Sequence, residues 1–127
     1  MSEAIEGLPP PPPPVRARPA AAVILWRDGP EGREVFWVRR GEGLRFAGGF
    51  HAFPGGRVDE GDARVPVAGL AGLDAALVAC AVREIFEETG ILLAAGPRQD
   101  RATREAARHA LLEGALDLAG FLGQHGL

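Results

Sequence analysis

The chain holds a single cysteine, Cys80, in 127 residues. A disulfide framework is therefore excluded, and a reducing cytoplasm suits the composition. No run of about 18 apolar residues occurs, so no transmembrane helix is expected. The start is acidic and runs into prolines, which does not read as a secretory leader. Positive charge is not in excess. The net charge of −3 offers no basic field for nucleic acid, so a polyanionic ligand has to rely on local arginines or metal. No internal repeat is apparent. What is present is an apolar share of 46%, enough for the core of one domain at this length.

Residues 1–18 read as a disordered tail. Six consecutive prolines, Pro9 to Pro14, cannot donate ladder hydrogen bonds and favour an extended polyproline helix. A stiff spacer is the preferred reading over a ligand for a proline-binding module. Ala20 to Arg27 reads as a strand, and Asp28 to Gly32 is dense in turn formers. Glu34 to Arg39 reads as the returning strand, with Val35, Phe36, Trp37 and Val38 buried in part. Phe50 to Phe53 is a short strand that delivers a Pro-Gly-Gly turn. Asp74 is a good N-cap, and a helix is expected from Ala75 to Thr89. Its apolar stripe is Leu77, Val78, Ala81, Val82, Ile85 and Phe86. Ile91 to Leu93 reads as a further strand. Ala102 to Leu112 and Ala115 to Leu122 read as helices, broken near Gly114.

The segment Arg83-Glu84-Ile85-Phe86-Glu87-Glu88-Thr89-Gly90-Ile91 carries the most information. Glu84, Glu87 and Glu88 stand at i, i+3 and i+4, so one helical face holds all three carboxylates. Three like charges repel and serve no packing purpose. A hard divalent cation reverses that cost, because Mg²⁺ and Mn²⁺ prefer carboxylate oxygen and leave positions open for phosphate. Gly90 is expected to end the helix in a left-handed conformation. Cys80 lies one turn before Glu84; a small packed residue is preferred over a redox or metal role.

Together with Gly55-Gly56-Arg57-Val58-Asp59-Glu60-Gly61-Asp62, this segment resembles the signature of the Nudix hydrolases. That signature is Gly, five residues, Glu, seven residues, then Arg-Glu-hydrophobic-any-Glu-Glu-any-Gly-hydrophobic. Residues 83–91 match its second half throughout. The first half matches as Gly56, five residues, and Asp62 in place of Glu. Between Asp62 and Arg83 lie 20 residues rather than seven, and residues 63–73 read as a loop insertion. The resemblance implies an α/β fold with a mixed sheet between helices. It also implies a Mg²⁺- or Mn²⁺-dependent hydrolase of a diphosphate linked to another moiety. Glu84, Glu87 and Glu88 are the expected metal ligands, with Glu84 alternatively the acceptor of a water proton. Arg83 is expected to hold a carboxylate by an ion pair. The Gly55-Gly56 backbone is placed to approach metal and phosphate, Gly56 through its carbonyl. Asp59 and Asp62 are secondary candidates, and His51 reads better as a strand residue than as a base.

Arg40-Gly41, three residues, Arg45, three residues, Gly49, three residues and Phe53-Pro54-Gly55-Gly56 resemble the branch that cleaves coenzyme A and acyl-CoA. That branch has Ser or Ala where this chain has Gly41, and a Leu-Leu-Thr run where it has Phe36-Trp37-Val38. Guanidinium pairs with phosphate in a bidentate way, which suits Arg40 and Arg45 to such a substrate. ADP-ribose or NADH is the alternative substrate, and a non-catalytic binding module is the alternative of another class. Residues 19–127 are expected to form a Nudix domain incomplete at its C-terminal side, because no convincing strand run follows Leu93. No nucleic-acid or membrane partner is expected, and a homodimer is compatible with the sequence.

Overall fold

The computed structural model describes residues 12–43 and 48–127. Among these residues, six short strands form three two-stranded antiparallel sheets. Strand β1, Ala20–Ala22, pairs with β6, Gly55–Arg57. Strands β2, Leu25–Gly29, and β3, Gly32–Phe36, form a hairpin. Strand β4, Val38–Arg39, pairs with β5, His51–Ala52. A 3₁₀ helix spans Glu60–Arg64. Three α-helices follow: α1, Gly72–Thr89; α2, Arg101–Leu112; and α3, Leu118–His125.

The expected strand at Ala20 to Arg27 is divided. Its first part pairs with the Gly-Gly strand and its second with β3, so one run serves two sheets. The expected strand at Glu34 to Arg39 divides in the same way around Trp37. Val35, Phe36 and Trp37 are exposed rather than buried, although the Trp37 ring meets those of Phe53 and His51, and Val38 is half-buried. Helix α1 starts at Gly72. Ala71 is its N-cap with no side-chain hydrogen bond, and Asp74 sits inside the first turn, where its charge still favours the helix dipole. Ile91 to Leu93 forms no ladder. An apolar run makes a strand only where a partner edge is free to take it. The last helix begins at Leu118, later than the sequence suggests, because the Asp117 carboxylate caps it by accepting from the Gly120 amide at 2.8 Å.

The core lies among the helices. Phe86 of α1 stacks on Phe121 of α3 with ring centroids 5.7 Å apart. Val65, Ala79, Ala107, Leu111, Leu118 and Leu122 close around them. Ile85 and Phe86 of the expected stripe are fully buried, but so are Ala79 and Cys80 outside it, whereas Val78 is exposed. Small residues on the buried face let α1 approach the Gly-Gly strand. Among the described residues, no helix is long and apolar enough to cross a membrane.

Candidate active site

The last two turns of α1 carry the carboxylates, and Arg83 organises them. Its Nε donates to Asp62 Oδ1 at 2.8 Å and its Nη2 to Asp62 Oδ2 at 3.1 Å, a two-pronged ion pair. Nη1 donates to Glu84 Oε1 at 2.9 Å and to Glu87 Oε2 at 3.3 Å. Nη2 also donates to the Arg57 carbonyl at 3.0 Å. All five guanidinium N–H groups are thereby engaged. The surrounding carboxylates, Asp62 foremost, hold the Arg83 pKa above its usual value.

Asp62 is only 1% exposed. Besides Arg83, its Oδ2 accepts from the Asp59 amide at 2.8 Å, and Asp59 caps the 3₁₀ helix in return. This reciprocal cap fixes Asp62 as a buttress for Arg83, with both oxygens occupied inside the protein. Asp59 is equally engaged, accepting from the Glu60 amide at 2.6 Å. The 20 residues between Asp62 and Arg83 do not separate the two side chains in space.

The two glycines act through what they lack. A side chain on Gly55 collides with the backbone of Ala21 and Ala22 in β1, and one on Gly56 collides with the Glu84 carboxylate. Gly55 therefore permits the strand pairing, and Gly56 permits the helix to bring Glu84 against the strand. Gly55 also donates a backbone hydrogen bond that favours ionised Glu88. The Gly56 carbonyl accepts from the Cys80 thiol, with Sγ and oxygen 3.4 Å apart. Burial pushes the Cys80 thiol above its usual pKa, as expected of a packed cysteine.

Burial also raises the Glu87 carboxyl, with Glu84 adding repulsion and Arg83 opposing it. The same desolvation, followed by Glu84, raises Glu88. Among the described residues no three acidic, histidine or cysteine side chains converge as a formed cation site. Glu84 and Glu87 are instead turned onto Arg83. The donor set nevertheless fits a hard divalent ion, being three carboxylates on one helical face whose mutual repulsion a cation relieves.

Arg40 and Glu88 line the same cavity of about 280 Å³, with Val38, Ala52, Phe53 and Gly55. The Arg40 amide donates to the Phe50 carbonyl at 2.7 Å, which ties this strand end to the loop that leads to the glycines. The charge of Arg40 favours ionised Glu88. Arg45 lies outside the described residues. The ring of His51 lies 5.4 Å from that of Trp37 on the β4–β5 sheet.

Sequence reasoning missed one contributor. Arg108 of α2 donates through Nε to the Glu87 carbonyl at 2.7 Å and through Nη2 to the Glu88 carbonyl at 3.4 Å. Its only sequence signal is a basic residue on a helix that follows a carboxylate-rich helix end.

A mixed α/β domain in which an Arg-centred carboxylate helix packs on a Gly-Gly strand is the class that fold and site define. A model of the NUDIX domain matches residues 16–113, and the chain belongs to the Nudix family. A solved structure, a NUDIX hydrolase from Alicyclobacillus acidocaldarius, is similar at a TM-score of 0.59 and 33% identity. The match covers 83% of this chain and 55% of that one, so the chain spans about half the length of that protein. No curated protein matches.

Proposed function

We propose that the protein hydrolyses a diphosphate linked to another moiety, and that coenzyme A or an acyl-CoA is its substrate. Membership of the Nudix family supports the reaction class. The observation that carries the substrate reading is the shared cavity of Arg40 and Glu88. It sets a phosphate-pairing guanidinium beside a carboxylate at the end of the signature helix. The spacing from Arg40 through Arg45 and Gly49 to Gly56 supports coenzyme A in particular.

Glu84, Glu87 and Glu88 are the residues suited to hold Mg²⁺ or Mn²⁺. Such an ion, when bound, neutralises diphosphate oxygens and makes a water more acidic. Arg83 positions Glu84 and Glu87 through Nη1, and Asp62 holds Arg83. Arg40 and Arg45 are assigned to the phosphates. Glu84 is the alternative proton acceptor. A cytoplasmic setting and a small-molecule substrate complete the reading.

The test is a side-by-side hydrolysis assay with Mg²⁺ or Mn²⁺ on CoA, an acyl-CoA, ADP-ribose, NADH and dinucleoside polyphosphates. CoA or an acyl-CoA is expected to give the highest kcat/KM, yielding phosphopantetheine and adenosine 3′,5′-bisphosphate or their acylated counterpart. A preference for ADP-ribose or NADH overturns the substrate and leaves the reaction class. One observation favours a second reading, a non-catalytic module: Glu84 and Glu87 are ion-paired to Arg83 rather than turned together. Metal-dependent binding of CoA without turnover is its signature.

A further inference from the structure

Three carboxylates crowd the C-terminal end of α1, where the helix dipole is negative and anions are least welcome. The last turn of α1 contains no basic residue to offset it. The offset comes from outside the helix. Arg108 reaches across from α2 and donates to the main-chain carbonyls of Glu87 and Glu88 themselves. These carbonyls belong to the final turn, which has no later amide within the helix to satisfy it. The third contact of Arg108, to Glu105 at 3.7 Å, is long and lies on its own helix. Gly90 lies beside this contact. It caps α1 in a left-handed conformation with φ 77, and a side chain there meets Glu105 and the Arg108 stem.

We propose that Arg108 is a positioning residue for the divalent cation, resting on the reading of Glu84, Glu87 and Glu88 as its ligands. By fixing two successive carbonyls, Arg108 fixes the direction in which both side chains leave the helix. It also brings a positive charge to the end of α1 without placing that charge among the carboxylates. It thereby ties α2, which lies outside the nine-residue carboxylate segment, to the geometry of that segment.

The test is Mn²⁺ titration by calorimetry on the full chain, unaltered and as Arg108→Met, Arg108→Lys and Glu87→Gln. Thermal unfolding without metal is measured in parallel. Arg108→Met keeps the apolar stem and removes the charge and donors. Its Mn²⁺ affinity is expected to fall about 10–100-fold, the usual effect of removing a group that orients a ligand. Arg108→Lys, which retains the charge and one donor group, is expected to recover part of that loss. Unchanged Mn²⁺ affinity in Arg108→Met, measured well below its unfolding transition, overturns the proposal even if the transition falls, because support of the fold alone lowers only the transition. If Arg108→Met does not fold, Arg108→Lys decides, with a several-fold loss expected and unaltered affinity overturning the assignment. If Glu87→Gln binds Mn²⁺ as well as the unaltered chain, the ligand reading fails. If only the Arg108 variants do so, the ligand reading stands and the positioning role fails.

Discussion

At the scale of single residues, the site depends on how four carboxylates and two arginines share charge. Asp62 and two glutamates surround Arg83, and Glu88 stands apart beside Arg40. Folding raises the proton affinity of Glu87 and Glu88. The folded chain therefore holds more protons than the unfolded chain just above the ordinary carboxylate range. The stability these two groups contribute is present at acid pH and is lost as pH rises through their raised values. Mn²⁺ binding runs the other way, because the ion competes with those protons and binds more tightly as they leave. Calorimetric titrations across this range are expected to show affinity climbing with pH. Glu87→Gln and Glu88→Gln, which keep shape and remove charge, are expected to weaken binding sharply. Affinity that is flat with pH and equal in both variants would sink the ligand assignment. The pairing of Arg83 with a carboxylate was implied by the family resemblance. That its strongest partner is Asp62, which the sequence offered only as a secondary site candidate, was not legible, since 20 intervening residues hide the contact.

At the scale of elements, helix boundaries followed local chemistry and strand boundaries followed partners. Gly90 and Gly114, both at positive φ, end helices where the sequence suggests. The run Ile91 to Leu93 looks like a strand by its side chains, yet pairing is a tertiary event that no local pattern contains. Burial on α1 was misread in part, for a related reason. Hydrophobic spacing favours Val78, whereas close approach of β6 at Cys80 and packing of the helical core on Ala79 select small residues. The fixing of α3 shows which interaction dominates. Its Asp117 pairs with Arg64 at 2.9 Å, but both side chains are largely exposed and such pairs contribute little. Phe121 is fully enclosed against Phe86. Phe121→Ala is therefore expected to cost about 3–5 kcal/mol in urea unfolding. A loss below about 1 kcal/mol would show that α3 does not close the core.

At the scale of the whole molecule, helices enclose the core, the β1–β6 sheet packs on α1, and the β2–β3 hairpin faces outward. Trp26, Val35, Phe36 and Trp37 are exposed on or beside the β2–β3 hairpin, and a cavity of about 320 Å³ lies between the hairpin and Ile91. Exposed apolar area of this kind and short sheets with unpaired edges both favour association. The 127-residue chain is expected to associate with rising concentration in size-exclusion chromatography and to unfold at low temperature. A monomer with a cooperative, high transition would show that the helical core suffices. The α/β class was legible because the glycine-rich strand and the carboxylate helix carry it in sequence. The core between α1, α2 and α3 was not, because the contact of Phe86 with Phe121 joins residues that no periodicity relates.

Residues 68–71, between Asp62 and Arg83, give the fold a variable that lies away from its chemistry. Lengthening a tether from seven residues to 20 costs about 1 kcal/mol of closure entropy, since that cost grows only with the logarithm of length. The ion pair that closes it and Val65, which inserts into the core, hold both of its flanks. Between those anchors, Ala68 to Ala71 run exposed at the surface. Epitopes, fluorophores or recognition sequences can therefore be spliced there, and selection can vary this arc freely while the distance from Asp62 to Arg83 stays constant.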